Sequence, residues 1–491
     1  MFRFLLLIAI INYSAIALGQ KRMMVTLDEA INVHIYNARN VQLSRKALEN
    51  SILEYKIFKK SLLPSIKMNF TPIIFNHSMK MLQNAVSGEY SNVDESSNVV
   101  NWGLSIMQTV GATGGVISLG SSFSYLLELS SKVNNFSTQP IYINYTQSLF
   151  GGRKSFRFEK NINKKAYDLA LKNYCSAITD EEKIILDLYL NAYSAKLDVE
   201  YYQKLCSIGD TLVAYARLRY DTGKITKYEC NQIELLQMSN SMSLIKAKDK
   251  YSHNIRLLET ELHLNDIDIC APSESSLPKS IDSDEIYCLV KKNNPEYLSY
   301  ELQQLKAEYD LHTAKVENRF NANISLTYGL NQYARTFCGA YERPNHQQAV
   351  SITFAIPVFE WGANKDRIML AQNNYDMALM QQEIAMDKLN EQTCESVNSY
   401  NRCVKTVNIA LKRFLLSKQQ YEFAAMRFSV GNITAIELAD IDNEQLKAKQ
   451  EFVAVQRELF VTYYQIKHLA MFDFVANKDI IDIVYTKYNM I

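Results

Sequence analysis

Residues 219–226 read RYDTGKIT, and residues 427–434 read RFSVGNIT. Both stretches have Arg, an aromatic residue, Gly, Ile and Thr at equivalent positions. A glutamate follows three residues after each Thr, at Glu229 and Glu437. Two copies of one motif in a single chain indicate an internal repeat, and the flanking sequence should then repeat as well.

The sequence around each copy is almost free of helix-breaking residues. Residues 153–271 contain no proline and only Gly209 and Gly223, and residues 363–491 contain no proline and only Gly431. Proline costs a helix interior about 3 kcal/mol and glycine about 1 kcal/mol, so both stretches are predicted to be helical. Gly223 and Gly431 can each end a helix, and the Thr that follows can cap the next one. We therefore predict two helical hairpins, each with an entering helix of about 68 residues and a leaving helix of roughly 40.

Two further segments show helical spacing of apolar residues over about 36 residues each. They are residues 26–63, which begin TLDEAINV, and residues 283–320, which begin SDEIYCLV. We expect each to form a helix that stacks end to end on the shorter helix of its hairpin. At 1.5 Å per residue the longer hairpin helix spans about 100 Å, which predicts a bundle or cylinder of that height.

Strand-like segments lie between these helices. The stretches SIKMNFTPII, IYINYTQSLFGG, NISLTYGLNQYA and VSITFAIPVFEWG alternate apolar and polar residues over about ten positions. That length also suits a tilted transmembrane strand. Four strands are too few for a closed membrane barrel, and lipid does not tolerate an open sheet edge. If these strands enter a membrane, several chains must share one barrel.

Composition excludes several classes of function. The 491-residue chain has a net charge of +1 and therefore no electrostatic footprint for nucleic acid. Its eight cysteines form no C-x-x-C pair and its seven histidines show no metal-binding spacing, so no metal or cofactor site is predicted. A disulfide between Cys270 and Cys288 across a linker stays open as a minor alternative. No nucleophile or phosphate-loop constellation is evident, which disfavours an enzyme.

The N-terminus has the layout of a secretory signal peptide. Residues 1–19, MFRFLLLIAIINYSAIALG, combine basic Arg3, a short apolar run and small residues before the expected cleavage point. A membrane anchor is the alternative, but the run is short and is interrupted by Asn12 and Ser14. No later segment has the length of apolar sequence that a membrane helix needs, which leaves two alternatives for the exported chain, a soluble protein or a membrane β-barrel.

These features leave two candidate functions of different classes. One is a transport conduit, and the alternative is a coiled-coil structural or adhesive protein of the cell envelope without transport activity. A rod would show sustained heptads without amphipathic strand pairs. The duplicated order of strands and long helices favours the conduit.

The whole arrangement resembles the TolC family of outer membrane efflux proteins. The resemblance rests on TLDEAI at the start, LLPSI before the first strand, NNPEY in the second half, IPVFEWGANKDR, and the paired motifs around Gly223 and Gly431. It implies an α+β membrane protein in which each protomer of a homotrimer gives about four strands to one outer membrane β-barrel. A long periplasmic α-helical barrel continues that β-barrel, and the fold is built from two structural repeats.

The resemblance also implies boundaries and partners. The predicted segments are the signal peptide 1–19, a first repeat 20–271, a linker 272–282, a second repeat 283–474 and a C-terminal tail 475–491. The chain is expected in the outer membrane, in contact with its lipid, with the helical part in the periplasm. The expected partners are a periplasmic adaptor protein and an inner membrane pump of the resistance-nodulation-division or ABC type, with no nucleic acid. The sequence does not identify the cargo, and the resemblance implies that cargo choice resides largely in the pump and the adaptor.

Two sets of site residues carry over from the resemblance. The turns between the hairpin helices correspond to the family's adaptor-docking turns, and the candidates there are Arg219, Tyr220, Gly223, Lys224, Ile225, Arg427, Phe428, Gly431, Asn432 and Ile433. The acidic residues just past the turns correspond to the constricted pore entrance, and the candidates are Glu229, Glu437 and Asp440. The plainer interpretations are that the glycines only make tight turns and that the carboxylates are solvated.

The chain departs from the family pattern in several places, and one of them is that the second half lacks the proline corresponding to Pro64. An acidic residue at the position of Glu229 contacts an Arg of the second turn in some members, but this chain has Ile433 there, and Tyr220 and Arg427 are the alternative partners. Ser148 stands where the family usually has proline. An excess of about 50 residues separates the first two strands, and WGLSIMQTV and VISLGSSFSYL within it are predicted to form an additional hairpin near residues 101–128. The sequence leaves its position open between an extracellular loop and the junction with the helices.

Overall fold

The computed structural model describes residues 23–35, 38–83, 88, 90–129, 132–272, 277–318, 321–356 and 359–488. The chain divides into two compact units. The helical unit consists of the described parts of Met1–Leu48, Ala170–Leu298 and Ala385–Ile491, and the sheet unit consists of those of Glu49–Leu169 and Ser299–Ile384. The predicted signal peptide, residues 1–19, lies outside the described residues, as do positions 273–276 of the predicted linker.

Ten helices occur in the described residues. They are α1 (Leu27–His34), α2 (Arg39–Ser61), α3 (Gly152–Asp221), α4 (Lys227–Leu262), α5 (Ser283–Asn293), α6 (Pro295–Glu317), α7 (Gly339–Glu342), α8 (Ala363–Val430), α9 (Ala435–Ala470) and α10 (Ile480–Tyr488). None of those described is both long and apolar enough to cross a membrane.

The two predicted hairpins are confirmed. The entering helices α3 and α8 have 70 and 68 residues, and the leaving helices α4 and α9 have 36 residues each. Each hairpin turns at the glycine that the sequence indicated, because Gly223 and Gly431 have φ of +71° and +89°, a region that side-chain-bearing residues rarely adopt.

The two other long helical segments are each broken in two, which the sequence analysis did not predict. The second break falls at Asn294, whose ψ is 124°, directly before Pro295. Proline disfavours the helical conformation of the residue before it. The Asn294 side chain caps the helix that begins after the break, since its Oδ1 accepts a hydrogen bond from the backbone N–H of Glu296 in α6 at 2.9 Å.

The described residues also form ten strands. They are β1 (Met23–Val25), β2 (Ser65–Gln83), β3 (Tyr90–Val110), β4 (Gly115–Glu128), β5 (Val133–Ser148), β6 (Ile267–Ile269), β7 (Asn321–Ala334), β8 (Asn345–Ala355), β9 (Phe472–Asp473) and β10 (Lys478–Asp479). Six of them form one antiparallel sheet in the order β2-β3-β4-β5-β7-β8.

The prediction of about four sheet strands per protomer is therefore wrong, because the sheet has six. The additional hairpin near residues 101–128 does form, as β3 and β4 around the turn that contains Gly114 (φ +75°). It lies within the sheet, between β2 and β5, and not outside it. Its apolar residues alternate in step with those of its neighbours, and so it can extend the sheet without disturbing either face.

Two prolines within the strands lie where the ladder shifts register. Pro72 falls between Thr71 and Ile74, where the β2–β3 pairing slips, and Pro140 falls between Thr138 and Tyr142, where the β5–β7 pairing slips. Proline has no N–H to give to a ladder, so sheets confine it to bulges and edges. The bulges let strands with prolines stay in the sheet.

The helical unit fastens the N-terminal strand to its core through one tyrosine. Strand β1 pairs with β6 in parallel, with Val25 opposite Ile269. The fully buried Tyr189 of α3 places its hydroxyl 3.0 Å from the carbonyl oxygen of Val25 and 2.8 Å from that of Cys270. This hydroxyl satisfies buried backbone groups just past the short two-stranded ladder.

A buried ion cluster lies in the last turn of α9. The Lys467 side chain is 8% exposed, and its Nζ lies 3.1 Å from Glu182 Oε1 and 3.0 Å from Asp473 Oδ2. Burial alone would lower the pKa of Lys467, but the charges of Glu182 and Asp473 more than offset this and raise its pKa above the ordinary value. The cluster ties α3 to α9 and to the start of the C-terminal segment.

Replacing Lys467 should strongly destabilise the protein, because Lys467→Ala leaves two carboxylates buried without their cation. We expect a loss of about 3–5 kcal/mol in the free energy of unfolding. Lys447→Ala is the matched control, since the ion pair of Lys447 with Glu444 is exposed and should contribute less than about 1 kcal/mol. Urea unfolding of the purified full chain, followed by circular dichroism, measures both, and equal losses would contradict a structural role for the cluster.

Candidate functional site

The predicted docking turns have one backbone geometry, which we describe as the first tip (Arg219–Thr226) and the second tip (Arg427–Thr434). In the first tip, Gly223 N–H donates to the carbonyl of Tyr220 at 2.9 Å and Lys224 N–H to that of Arg219 at 2.8 Å. The second tip repeats both bonds at 2.9 Å, from Gly431 to Phe428 and from Asn432 to Arg427. This pair of bonds is the Schellman motif, which satisfies the last carbonyls of a helix.

Each tip then opens the next helix with a capping box. Thr226 N–H donates to Glu229 Oε2 at 2.8 Å, and Glu229 N–H donates back to Thr226 Oγ1 at 3.2 Å. Thr434 and Glu437 make the same two bonds at the same distances. The recurrence of Thr and Glu at this spacing is thus explained by helix initiation, in which the two side chains satisfy backbone donors that the first turn leaves free.

One arginine joins the two tips. Arg219 Nη1 donates to the carbonyl oxygen of Phe428 at 2.9 Å, and its guanidinium lies 5.8 Å from the centroid of the Phe428 ring. A Cβ on Gly431 would lie 2.7 Å from Arg219 Nη2, whereas a Cβ on Gly223 would meet nothing within 4 Å. Gly431 is therefore required by its φ, and a side chain there would also have to displace Arg219 from this close approach, which we term the cross-tip contact.

Several predicted docking residues are packed into the core beneath the tips. Phe428 is 3% exposed, and Ile225 and Ile433 are half-buried against the same cluster. Its buried members come from all four hairpin helices: Tyr201, Leu205, Leu212, Ala216, Cys230, Ile233, Tyr421, Ala424, Ala425, Phe428, Ala435 and Leu438. The cluster makes the two tips a single packed body.

Four of the predicted docking residues present exposed side chains. They are Tyr220, Lys224, Arg427 and Asn432. Arg427 occupies the position in the second tip that Arg219 occupies in the first, yet in the described part of the chain its guanidinium has no hydrogen-bond or ion-pair partner. The two arginines of the repeated motif therefore have different environments.

The predicted entrance carboxylates also differ from one another. Asp440 is exposed, while Glu437 and Glu229 are held by their capping boxes. The backbone and hydroxyl bonds from Thr226 lower the pKa of Glu229, and the charge of Arg219 contributes to the same shift. Glu229 therefore bonds within its own tip, although Arg219 adds a weak electrostatic link to the cross-tip contact.

A further acidic residue, which sequence reasoning missed, lies just beyond these. Asp442 is 8% exposed, and its Oδ1 accepts the hydroxyl of Tyr201 at 3.3 Å. Burial raises the pKa of Asp442 to about 6, and the Tyr201 bond opposes this only in part. Its spacing was a usable signal, since Asp442 falls on the same stripe of α9 as the buried residues Ala435 and Leu438.

Comparison with known proteins identifies the second half of the chain. Residues 287–469 match the family described as "Outer membrane efflux protein". They form an outer membrane efflux protein domain. The prediction of a TolC-family outer membrane efflux protein is thereby confirmed. Over 167 residues the chain is 22% identical to the outer membrane protein TolC of Escherichia coli strain K12, and this alignment spans about a third of each protein, 34%.

Solved structures show that the fold of this efflux protein domain extends over nearly the whole chain. A membrane protein from Pseudomonas aeruginosa matches with a TM-score of 0.63 and 12% identity over 92% of each chain. The CmeC outer membrane channel of Campylobacter jejuni matches with a TM-score of 0.61 and 14% identity over 94% of this chain and 89% of its own. The likeness favours a channel fold over the alternative of a coiled-coil structural protein.

Because of the cross-tip contact, alanine should destabilise the protein more at Gly431 than at Gly223. Both Gly223→Ala and Gly431→Ala should cost about 1–2 kcal/mol, because alanine resists a positive φ. Gly431→Ala should cost about 1 kcal/mol more, since its Cβ displaces Arg219 from the Phe428 carbonyl. Hydrogen exchange of tip peptides measures the local opening free energy. In an Arg219→Ala background the extra cost should disappear, and its persistence there would contradict the contact.

Asp442 should make stability depend on pH in a defined window. Its folded pKa of about 6 lies above the ordinary value of 3.8, so the folded state binds more protons than the unfolded state between those pH values. Stability from this group is therefore highest below about pH 4, falls as pH rises to about 6, and is constant above that.

Asp442→Asn should remove that fall and stabilise the protein by about 2–3 kcal/mol at pH 7.5, with no gain at pH 4. Thermal unfolding of the full chain across this range tests the difference. Asp440→Asn is the matched control, because Asp440 is exposed two positions earlier and should leave the pH profile unchanged. An Asp442→Asn profile parallel to that of the wild type would show that the residue does not titrate as described.

Proposed function

We propose that this chain is the outer membrane exit duct of a tripartite efflux or type I secretion system. It passes substrates from an inner membrane pump through the periplasm and the outer membrane, and it catalyses no reaction. The observation that carries this proposal is the pair of equivalently capped tips joined by Arg219, together with the efflux protein domain that contains the second tip. A rod-forming protein needs no such paired and cross-linked turns.

The functional form that we propose is a homotrimer of chains with two internal repeats. Three copies would bring the helices together around a water-filled duct in the periplasm and the sheets together in the outer membrane. The matching lengths of α3 with α8 and of α4 with α9 support the duplication. Helices of this length need an extended packing partner to be stable, which neighbouring copies would supply.

The exposed tip residues are the proposed docking surface for a periplasmic adaptor. Lys224 and Arg427 give this surface two cations without ion partners in the described residues, and Tyr220 and Asn432 add hydrogen-bonding groups. An adaptor turn with acidic or carbonyl acceptors would complement them. Phe428, Ile225 and Ile433 support this surface from below, and Arg219 holds the two tips at a fixed separation. The adaptor would in turn bind a resistance-nodulation-division pump or an ABC transporter.

The acidic residues past the second tip are the proposed pore entrance. In a trimer, Glu437 and Asp440 would each occur three times around one axis. Rings of carboxylates in a narrow pore attract cations and repel anions. Glu229 lies at the equivalent position past the first tip and would add to the same negative field.

Single-channel conductance in planar bilayers tests the proposal, comparing the wild type with Glu437→Gln/Asp440→Asn. Glutamine keeps the acceptor that the capping box needs, so this variant removes charge without removing the cap. We expect the wild type to conduct with cation selectivity and the variant to conduct with reduced selectivity. Glu444→Gln, which neutralises an exposed carboxylate four residues further on, is the matched control and should leave selectivity unchanged.

The outcomes test the exit duct and its proposed acidic entrance independently. Absence of conductance from a folded trimer would contradict the exit duct. Conductance with unchanged selectivity in the double variant would retain the duct and exclude Glu437 and Asp440 as its selectivity-determining residues.

A further inference from the structure

The sheet has one largely apolar face that continues through the additional hairpin. One row of directly opposed residues runs across five strands, and the next row reaches β8. The first row is Ile66, Ile106, Leu119, Ile143 and Tyr328, and the second is Gln108, Ile117, Tyr145, Leu326 and Val350. The aliphatic members are all exposed, from 37% for Ile106 to 72% for Val350. A contiguous exposed apolar surface of this extent indicates a membrane or a protein partner.

The opposite face is mainly polar, and its side chains pack closely. Ser122 Oγ donates to Gln139 Oε1 at 3.2 Å, and Gln139 Nε2 donates to Gln347 Oε1 at 3.1 Å, so hydrogen bonds link β4, β5 and β8. Tyr142 of β5 lies over Gly120 of β4 and Gly329 of β7, where an added Cβ would approach it to 2.5 and 2.6 Å. A sheet with one apolar and one polar face suits a position between lipid and water.

The additional hairpin has the composition of a membrane segment. Residues 96–127, which include most of β3 and β4, contain no charged side chain. β3 is hydrogen-bonded to β2 on one side and β4 on the other, and β4 is likewise bonded to β3 and β5. The hairpin therefore separates two strands that would be neighbours in a four-stranded arrangement. A loop in water would have no reason to exclude charge over this length.

The two outer strands leave edges that only another chain can cover. In the described residues β2 and β8 each pair on one side only, and both are long, with 19 and 11 residues. In lipid an unpaired backbone group costs several kcal/mol, so these edges cannot stay open. Because the six strands alternate in direction, β2 and β8 run antiparallel to each other. The β2 edge of one copy can thus pair with the β8 edge of the next and continue the antiparallel pattern.

We infer that all six strands lie in the membrane and that three copies close a sheet of eighteen strands, not twelve. This inference rests on the proposed function, from which it takes the membrane and the trimer. Each copy binds the next through the β2 and β8 edges, and the apolar face of β3 and β4 contacts lipid. A closed sheet of 16–18 strands leaves an aqueous channel, so the wider ring would place an open lumen inside the polar face.

The position of Trp102 permits a direct test. The chain has two tryptophans, Trp102 on β3 and Trp361 just before α8. Trp102 lies directly between Phe70 of β2 and Phe123 of β4, on the apolar face. In Trp361→Phe, reconstituted into phosphatidylcholine vesicles with brominated acyl chains, we expect Trp102 fluorescence to be strongly quenched relative to unbrominated vesicles.

A matched control separates this inference from the proposed function. The variant Phe70→Trp/Trp102→Phe/Trp361→Phe carries its only tryptophan on β2, a strand that a four-stranded arrangement also contains. Quenching of the β2 tryptophan in that variant without quenching of Trp102 in the first would place the hairpin outside the lipid and overturn the eighteen-stranded sheet, leaving the duct intact. Quenching of neither would contradict the proposed membrane location itself.

Photo-crosslinking counts the copies in the ring. A benzoylphenylalanine that replaces Met68, on the open edge of β2, should crosslink to peptides of residues 345–355 from another copy. We expect the products to end at three copies in the full-length, detergent-solubilised protein. A series that ends at two copies would mean a twelve-stranded closed sheet and would overturn the count, and crosslinks to no β8 peptide would overturn the proposed edge pairing.

Discussion

The helical unit depends on polar pairs buried along the seam between α3 and α9. The buried stripe of α9 includes Asp442 and Lys449, and these face Tyr201 and Asp198 of α3. Further along the same antiparallel seam Lys467 meets Glu182 of α3. An apolar stripe alone would tolerate a slip of one turn, but a slip here would bury several charges without partners, at a cost of several kcal/mol each. The polar pairs therefore fix the register of two very long helices, as single polar residues do in coiled coils.

That register determines the geometry of the tips. Arg219 can reach the Phe428 carbonyl, and can lie close to Gly431, only if the two tips are level along the helix axes. Asp442 contributes to this at a cost, since its carboxyl is ionised at neutral pH in a site that disfavours the charge. The polar pairs thus fix the positions of the helices beneath the tips, while the buried charge of Asp442 makes this region less stable than an uncharged residue would. Such a combination suits the proposed docking of an adaptor at the tips.

The sequence predicted those features of the fold that depend on residues close together in the chain. The helix ends at Gly223 and Gly431 and the caps at Thr226 and Thr434 follow from residues within one turn of each other, and all of them are present in the structure. The break at Asn294 was also local and could have been predicted from Pro295. The strand count could not be settled in the same way. Alternation identified the additional hairpin, but whether it joins the sheet is decided by its pairing with β2 and β5, the strands that precede and follow it, and alternation alone does not specify pairing.

Long-range contacts account for the rest of what the sequence did not indicate. Nothing in RYDTGKIT distinguishes its arginine from that of RFSVGNIT, yet Arg219 bonds the other tip and Arg427 is exposed. Equivalent residues of a repeat receive different neighbours once two copies pack against each other, because the packing is not symmetric. The aromatic residues of the motif differ in the same way, since Tyr220 is exposed and Phe428 is buried. The remaining equivalent positions match, with Lys224 and Asn432 exposed and Ile225 and Ile433 half-buried.

The cross-tip contact has an acceptor that belongs to the backbone, and this affects how the protein can change over generations. Every amino acid at position 428 offers the same carbonyl oxygen, so substitutions there cannot remove the acceptor, although they can alter the packing around it. Mutation can break the hydrogen bond of this contact at Arg219 and at Gly431, whereas a change at Phe428 removes only the ring beside the guanidinium. A lineage could therefore diversify the exposed tip residues to follow a changing partner while two positions preserve the spacing between the hairpins.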